Sequence, residues 1–525
     1  MTLLILLVIK CVLILGTSNA AKILGIFTFP AGSHNILATK LLAGLAEDGH
    51  EITFIAPYPT KNIPKNTSWN EIVLDGLKEE HYSYFNQIDM YEDSNLGLLD
   101  KMHLYQNLMT CWVNITMFHP KMRALMASNN KFDVVIMEDF FNLAHKYYAH
   151  YYDCPLILLS TMGPTSFVAN LLRNPLPPTY VPHTMLSHAF DFHNYWHRLT
   201  NIVSICFIDI VEYFVTISFH TRLLEAAFPD SPPLEELNKR VALVLLNTHE
   251  SLMQPIPLVP SMVNVGGYHV DTPKDLPQDL QKFMDSAKEG VIYFSMGSNL
   301  KAKDMSEEKK QIFFNVFKRL KQKILWKFED KNVTGLPKNV FIKSWMPQQD
   351  ILAHPNVKLF ITHGGLLSTT EAIHHGVPML TIPVFADQFT NAATAVRGGY
   401  GLRISYNDAN FNEDTLNNLI DQLLIDPKYR ENVKHRSKFY NDRPMKPMET
   451  LVYWVNYVIR HKGAEHLKVA GVHLREYQYL MLDIFIPFII LMHVGFYLWF
   501  RVVRYIYRRF SNKKSSKVSK KQKIQ

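Results

Sequence analysis

Residues 360–388 read F-I-T-H-G-G-L-L-S-T-T-E-A-I-H-H-G-V-P-M-L-T-I-P-V-F-A-D-Q. The apolar run 357–362 has the length and side chains of a buried strand. His363, Gly364 and Gly365 then make a tight turn, and the pattern over 366–375 predicts a helix with Ser368 in its first turn. Two glycines let backbone approach a ligand closely, and the free N–H groups of a helix start favour an anion. Gly376 and Pro378 end the helix, residues 379–382 form the next strand, and residues 383–388 lead into a further helix.

The same alternation extends outward in both directions. Upstream, strands are predicted at 291–294, 324–327 and 340–343, with a helix at 306–321. The first half repeats the grammar: strand 23–28, helix 36–46, strand 52–56, then strand 134–137, a helix through Tyr151, and strand 156–160. Strand, helix, strand order implies parallel sheets, so the fold class is α/β, with two doubly wound units joined by a Gly- and Pro-containing linker near 264–277. Ligands in such sheets bind beyond the carboxyl ends of the strands. Those turns hold Ser295, Gly297 and Ser298 after one strand, and Trp345, Pro347 and Gln348 after another. No G-x-G-x-x-G follows either first strand, which argues against a dinucleotide-dependent oxidoreductase.

The chain has 525 residues, 47% hydrophobic and 19% charged, too apolar for a disordered chain and too long for one core. Its net charge is +8, but ten Lys and Arg lie in residues 501–525, so the remainder is slightly acidic and a nucleic-acid-binding globule is disfavoured. Four cysteines (Cys11, Cys111, Cys154, Cys206) are too few for a disulfide scaffold. The apolar start, interrupted by Lys10 and followed by Ser18, Asn19 and Ala20, reads as a secretory signal.

Residues 480–500 carry Asp483 as their sole charge. At ~1.5 Å per residue they can span a ~30 Å hydrocarbon layer. Arg501, Arg504, Arg508, Arg509 and the lysines beyond place the tail in the cytosol and the body in the lumen. N-glycosylation triplets at Asn66, Asn114 and Asn332 fit that address. The predicted organisation is a signal at 1–20, a first domain at 21–265, a second at 266–470, a single span at 480–500 and a basic tail at 501–525.

The block 360–388, with His363, Gly365, Glu371, Pro378, Pro383, Asp387 and Gln388 in register, resembles the signature of UDP-dependent glycosyltransferases. The likeness extends to the leader, the domain order, the stretch 442–467 with Tyr453, Trp454, Arg460, Lys462, Gly463 and His466, and the anchor. In type it is similar to the animal UDP-glucuronosyl- and UDP-glucosyltransferases of the endoplasmic-reticulum membrane, which implies a GT-B fold of two facing Rossmann-like domains. The resemblance implies that Trp345 stacks on uracil, Gln348 bonds the base, and Glu371 holds the ribose hydroxyls. His363, Ser298 and the turn with Gly365 and Ser368 would hold the diphosphate, and Asp387 and Gln388 the sugar. Leu367 stands where many relatives carry Asn, which bears on the donor sugar. Lys521 and Lys523 resemble a dilysine retrieval signal, a lipid-touching basic tail being the alternative.

In the first half, Ser33, His34 and Asn35 fall at a helix start. A neutral imidazole at that positive end can accept a proton, and the resemblance implies that His34 is the base. A carboxylate on the other ring nitrogen would fix the tautomer and stabilise the imidazolium that forms. Glu138 and Asp139 both end the strand at this edge; counting forward from Phe132 favours Glu138 and counting back from Pro155 favours Asp139, which is the expected partner.

The expected activity is inverting transfer of a hexosyl or hexuronosyl group, from UDP-glucose or UDP-glucuronate, onto hydroxyls of small lipophilic acceptors. Aromatic-rich residues 81–120 and 140–230, including Tyr147, Tyr148, Tyr151, Tyr152, Tyr213 and Phe214, would line an apolar acceptor cavity. No Asp-x-Asp motif occurs, so neither a metal nor a cofactor beyond the UDP-sugar co-substrate is expected. Relatives of this type are thought to self-associate in the membrane. The alternative is a non-catalytic UDP-sugar or lipophile binder on a single span, for which an acid beside His34 would be superfluous.

Overall fold

In the computed structural model, residues 20–85, 91, 111–183, 190–330 and 333–522 are described. Residues 1–19 of the predicted leader and Asn332 lie outside them. The first half begins with β1 (Lys22–Ile26), α1 (Gly32–Glu47), β2 (Glu51–Ala56) and β3 (Trp69–Val73). β4 (Val134–Glu138), β5 (Leu156–Ser160), the long helix α2 (Tyr195–Val211), β6 (Val241–Leu246) and β7 (Met262–Asn264) complete it. These strands form one parallel sheet in the order β3-β2-β1-β4-β5-β6-β7. Both faces of a parallel sheet are covered, so its inner strands are apolar throughout. β5 (LILLS) and β6 (VALVLL) are buried at every position.

The second half contributes β8 (Val291–Ser295), β9 (Lys323–Lys327), β10 (Val340–Lys343), β11 (Val357–Thr362), β12 (Met379–Thr381) and β13 (Gly401–Arg403). They form a second parallel sheet, ordered β10-β9-β8-β11-β12-β13. α3 (Leu366–His375) follows β11 and α4 (Gln388–Arg397) follows β12. In each sheet the first strand sits between the second and a later one, so the strand order reverses beside β1 and beside β8. Such switch points open crevices above the sheet. The turns after β1, β8 and β11 are therefore the ones at which a ligand site is expected.

The segment between the sheets is packed rather than slack. Tyr268 donates from its hydroxyl to the Leu37 carbonyl at 3.1 Å, and the Asp271 N–H donates to Gln349 Oε1 at 2.9 Å. α5 (Pro447–Arg460) follows the second sheet in sequence but buries Leu451, Val455 and Val458 in the first core, beside Leu37, Leu41 and Leu45. Its spacing of apolar positions supplies the stripe such docking needs.

Residues 469–525 form a separate unit containing α6 (Leu482–Gln522). Within α6, Leu482–Phe510 is long and apolar enough to cross a membrane. A second stretch, Tyr195–Ala227, has the same property and was not foreseen from the sequence.

Candidate active site

β1 delivers the chain into the first turn of α1, where His34 sits. Its Nδ1 is hydrogen-bonded to Glu138 Oε1. The same carboxylate oxygen accepts from Thr161 Oγ1 at 3.0 Å, so Glu138 is fixed from the end of β5 as well. Phe29 and Phe140 stand edge-on to the His34 ring, with centroids 4.6 and 4.8 Å away. Because Nδ1 faces a carboxylate, the proton belongs on Nδ1 and Nε2 is the accepting nitrogen.

The expectation that Asp139 partners His34 is corrected by this contact. Side chains alternate across a strand. Val134 and Ile136 pack into the cluster that contains Leu37 and Leu41 of α1, so Glu138, two residues on, reaches the α1 face. Asp139 projects to the other face, where burial raises its carboxyl pKa and the Lys146 cation opposes that rise.

Across the cleft, a Cβ added to Gly32 would fall 3.1 Å from Ser298 Cβ and 3.2 Å from its Oγ. The start of α1 and the turn after β8 thus nearly touch, and any Cβ at position 32 would crowd Ser298. Asp387, at the start of α4, has its carboxyl raised by burial and lowered by Asn391, whose Nδ2 donates to it at 2.9 Å, and by the field of His34. His34 therefore lies in electrostatic reach of the residue implied to hold the sugar.

The remaining donor-side residues gather around α3. His363 is wedged between two glycines: a Cβ on Gly297 would lie 2.5 Å from His363 Cε1, and one on Gly365 2.4 Å from Nε2. Burial, with Lys327 nearby, pushes its pKa down to about 4, so the ring is neutral. Gly365 caps α3 with no side chain across the helix start, which suits an anion there. Ser368 is buried in the first turn and accepts from Gln348 Nε2 at 3.0 Å. Gln348 Nε2 also donates to Glu371 Oε2 at 2.6 Å, and Gln349 Nε2 to Oε1 at 3.3 Å. Burial nevertheless pushes the Glu371 pKa up to about 7. Trp345 is 69% exposed, as a plate awaiting a planar ring would be. Gln388 spends its carbonyl oxygen on the Val384 and Phe385 N–H groups, at 2.8 and 3.2 Å, and so shapes the turn ahead of Asp387. Leu367 packs against the first core, making an apolar contact between the lobes.

The aromatic residues expected to line the acceptor cavity do other work. Tyr147 stacks on Phe228 at 4.1 Å, Tyr148 is fully buried, and Tyr152 packs on Phe132. Tyr213 and Phe214 face outward, 54% and 68% exposed. A small recess beside the dyad is lined by Phe29, Trp112, Phe140, Glu138, Asn142 and His145, of which Trp112, Phe140, Asn142 and His145 come from the aromatic-rich stretches 81–120 and 140–230. Burial pushes the His145 pKa down to about 4, giving this recess a neutral imidazole among aromatic rings. Of the acceptor sites for N-glycosylation, Asn66 and Asn114 are exposed. Thr161, Gln349, Asn391 and His145 were not singled out in the sequence; only Gln349, beside Gln348, and Asn391, one helical turn past Asp387, carry a local signal.

A family model described as UDP-glucoronosyl and UDP-glucosyl transferase matches residues 21–517. UDP-glycosyltransferase UGT5 of Dactylopius coccus is 36% identical over 488 residues, covering 90% of each chain. UDP-glucosyltransferase 2 of the same organism is 34% identical over 520 residues, 97% of each chain. Human UDP-glucuronosyltransferase 2B15 is 30% identical over 474 residues, 86% of this chain and 87% of that one. Among solved structures, a UDP-glucosyltransferase from Polygonum tinctorium superposes with a TM-score of 0.58 at 18% identity, covering 85% of this chain and all (100%) of that one. The calicheamicin glycosyltransferase CalG4 gives 0.56 at 17% identity, covering 84% and 99%. The shared architecture is the GT-B fold.

Proposed function

This chain belongs to the UDP-glucuronosyl and UDP-glucosyl transferase family and is a UDP-sugar transferase, and from that premise we propose that it moves glucose or glucuronate from UDP onto hydroxyls of small lipophilic acceptors, inverting the anomeric centre. The observation that carries this reading is the His34–Glu138 pair at the start of α1, set opposite Ser298 and Asp387 of the other lobe.

Nε2 of His34 takes the proton as the acceptor oxygen attacks the anomeric carbon, and Glu138 stabilises the imidazolium that results. The bond from that carbon to the diphosphate breaks on the opposite face, and charge grows on the leaving UDP. Ser298, the neutral His363 and the uncapped N–H groups of α3 are preorganised to receive it. Trp345, Gln348 and Glu371 hold the nucleoside, Asp387 and Gln388 the sugar. The acceptor approaches beside His34, where the rings of Phe29, Trp112 and Phe140 cluster.

The same reading places both lobes on the lumenal side of the endoplasmic-reticulum membrane, with α6 as anchor, the basic tail cytosolic and Asn66 and Asn114 glycosylated. The experiment that tests the assignment supplies UDP-glucose and UDP-glucuronate in parallel with a phenol, measures acceptor-dependent UDP release, and determines the product's anomeric configuration by NMR. An inverted product is expected; a retained configuration, or UDP release indifferent to the acceptor, would sink the mechanism.

A further inference from the structure

We propose that His269 is a positioning residue for the transfer: it orients Glu371 once the nucleoside is bound, and the segment 268–271 carries that contact to α1, the helix that holds His34. The inference rests on the ribose role proposed for Glu371 and adds what sets that carboxylate.

His269 is fully buried, and neither ring nitrogen has a hydrogen-bond partner among the described residues. Burial lowers its pKa to about 4 against the pull of Asp271, so the ring is neutral, with one N–H and one accepting nitrogen. A polar ring left unbonded in a core costs more than a leucine filling the same space. The Leu367 backbone favours the protonated ring, yet neither nitrogen is in hydrogen-bonding geometry to it. Nε2 instead faces Glu371 Oε1 at 3.6 Å. A shift of about 0.5 Å brings that pair to the ordinary N–H···O length. The ionised carboxylate is the form that draws an N–H donor, and ribose hydroxyls donating to Glu371 favour the same form. Nucleoside binding therefore completes the bond that His269 lacks.

The segment around His269 is tied to both lobes. Gln349 Nε2 donates to the His269 carbonyl at 3.1 Å as well as to Glu371 Oε1, and Gln349 Oε1 accepts from the Asp271 N–H. The Lys274 N–H donates to Asp350 Oδ1 at 2.8 Å, a further tie to the helix Gln348–Ala353. On the other side the Tyr268 hydroxyl holds the Leu37 carbonyl, and Asp271 is ion-paired with Lys40. Leu37 and Lys40 lie within two turns of His34 on α1. A small movement toward Glu371 thus reaches the helix start that presents the base, where misplacement of a fraction of an ångström is felt in turnover.

The test uses the full chain at about pH 8, where Glu371 is ionised. Calorimetry gives the Kd for UDP, and acceptor-dependent UDP release from UDP-glucose or UDP-glucuronate with a phenol gives kcat. His269→Leu, or His269→Asn should the leucine variant not fold, removes the donor at the Nε2 position. It is expected to raise the Kd about three- to tenfold, the usual worth of one hydrogen bond, and to lower kcat by a similar factor. His269→Gln, whose amide nitrogen reaches the Nε2 position, should restore both to within about twofold of the parent. Equal losses in the glutamine and leucine variants would mean that the ring only packs, and would overturn the proposal. Tyr268→Phe cuts the tie to Leu37 and leaves Glu371 alone, so kcat should fall about three- to tenfold with the Kd for UDP unchanged. An unchanged kcat there overturns the link to α1. In Glu371→Ala, which should itself bind UDP more weakly, adding His269→Leu should change the Kd less than about twofold, as two residues acting through one contact require. A full further loss in that background sinks the inference alone. Unaltered UDP binding in Glu371→Ala removes the ribose role and the inference together.

Discussion

Glu138 and Asp139, neighbours at the end of β4, send their carboxylates to opposite faces of the first sheet: Glu138 to Nδ1 of His34, Asp139 into the field of Lys146. The two should therefore fail differently. His34→Ala and Glu138→Gln are each expected to lower kcat by roughly 10²–10⁴, the usual worth of a general base and its support, with UDP binding intact. Asp139→Asn leaves the dyad alone and removes a carboxyl that lies in the field of Lys146, so stability rather than turnover should respond. Turnover, UDP titration and thermal unfolding on the three variants separate the roles. A loss of turnover in Asp139→Asn equal to that in Glu138→Gln would contradict the assignment.

In the role proposed for it, Glu371 should make donor binding pH-dependent. Burial raises its pKa to about 7, so its carboxylate, the form that would accept from ribose hydroxyls under the proposed role, is lost as pH falls through that value. UDP favours the ionised form and must displace the proton below it. From about pH 8 to about pH 6 the Kd for UDP should rise about tenfold relative to that of Glu371→Gln, whose own pH dependence reports the phosphate groups alone. Calorimetric titration of both proteins checks it; parallel pH profiles would remove Glu371 from the ribose.

Much of this was legible before any coordinates. β5, β10, β11 and α3 begin and end where the apolar runs and their flanking turn residues put them. β3 was not, because W-N-E-I-V is a half-exposed edge strand without clean alternation, nor were β7 and β13, whose three residues are too few to show a period. The choice between Glu138 and Asp139 needed the face of β4, which two possible counts left open until Val134 and Ile136 were seen against α1. The long helix at 195–211 was not foreseen either, because its residues read only as part of the aromatic-rich stretch 140–230.

His363 owes its place to the absence of two side chains. Gly365 has φ −61, which any residue adopts, so Gly365→Ala is resisted only by the 2.4 Å approach to the His363 ring. Gly297 has φ +85, so Gly297→Ala adds a backbone cost of about 1–2 kcal/mol to its 2.5 Å clash. Both variants should weaken UDP binding by displacing the ring. Combining each with His363→Ala should relieve Gly365→Ala of its further effect on stability while leaving Gly297→Ala destabilised. Thermal unfolding of the singles and doubles reads the difference, and an equal relief in both would refute the distinction.

α5 follows the second sheet in sequence yet packs with the first, so its loss should be felt there. Leu451 is fully buried against the cluster of α1 and β1. Truncating such a leucine to alanine costs about 2–5 kcal/mol, depending on how far the site collapses. Leu451→Ala should therefore speed amide hydrogen exchange in β1, β2 and the start of α1, where His34 is held, while β8 and β11 keep their protection. Turnover should fall with the fraction of first lobe that opens, and UDP, for which the proposed site is in the second, should bind as before. Equal deprotection of both sheets would mean instead that the lobes unfold as one unit and that α5 is a brace for the whole, not a part of the first core.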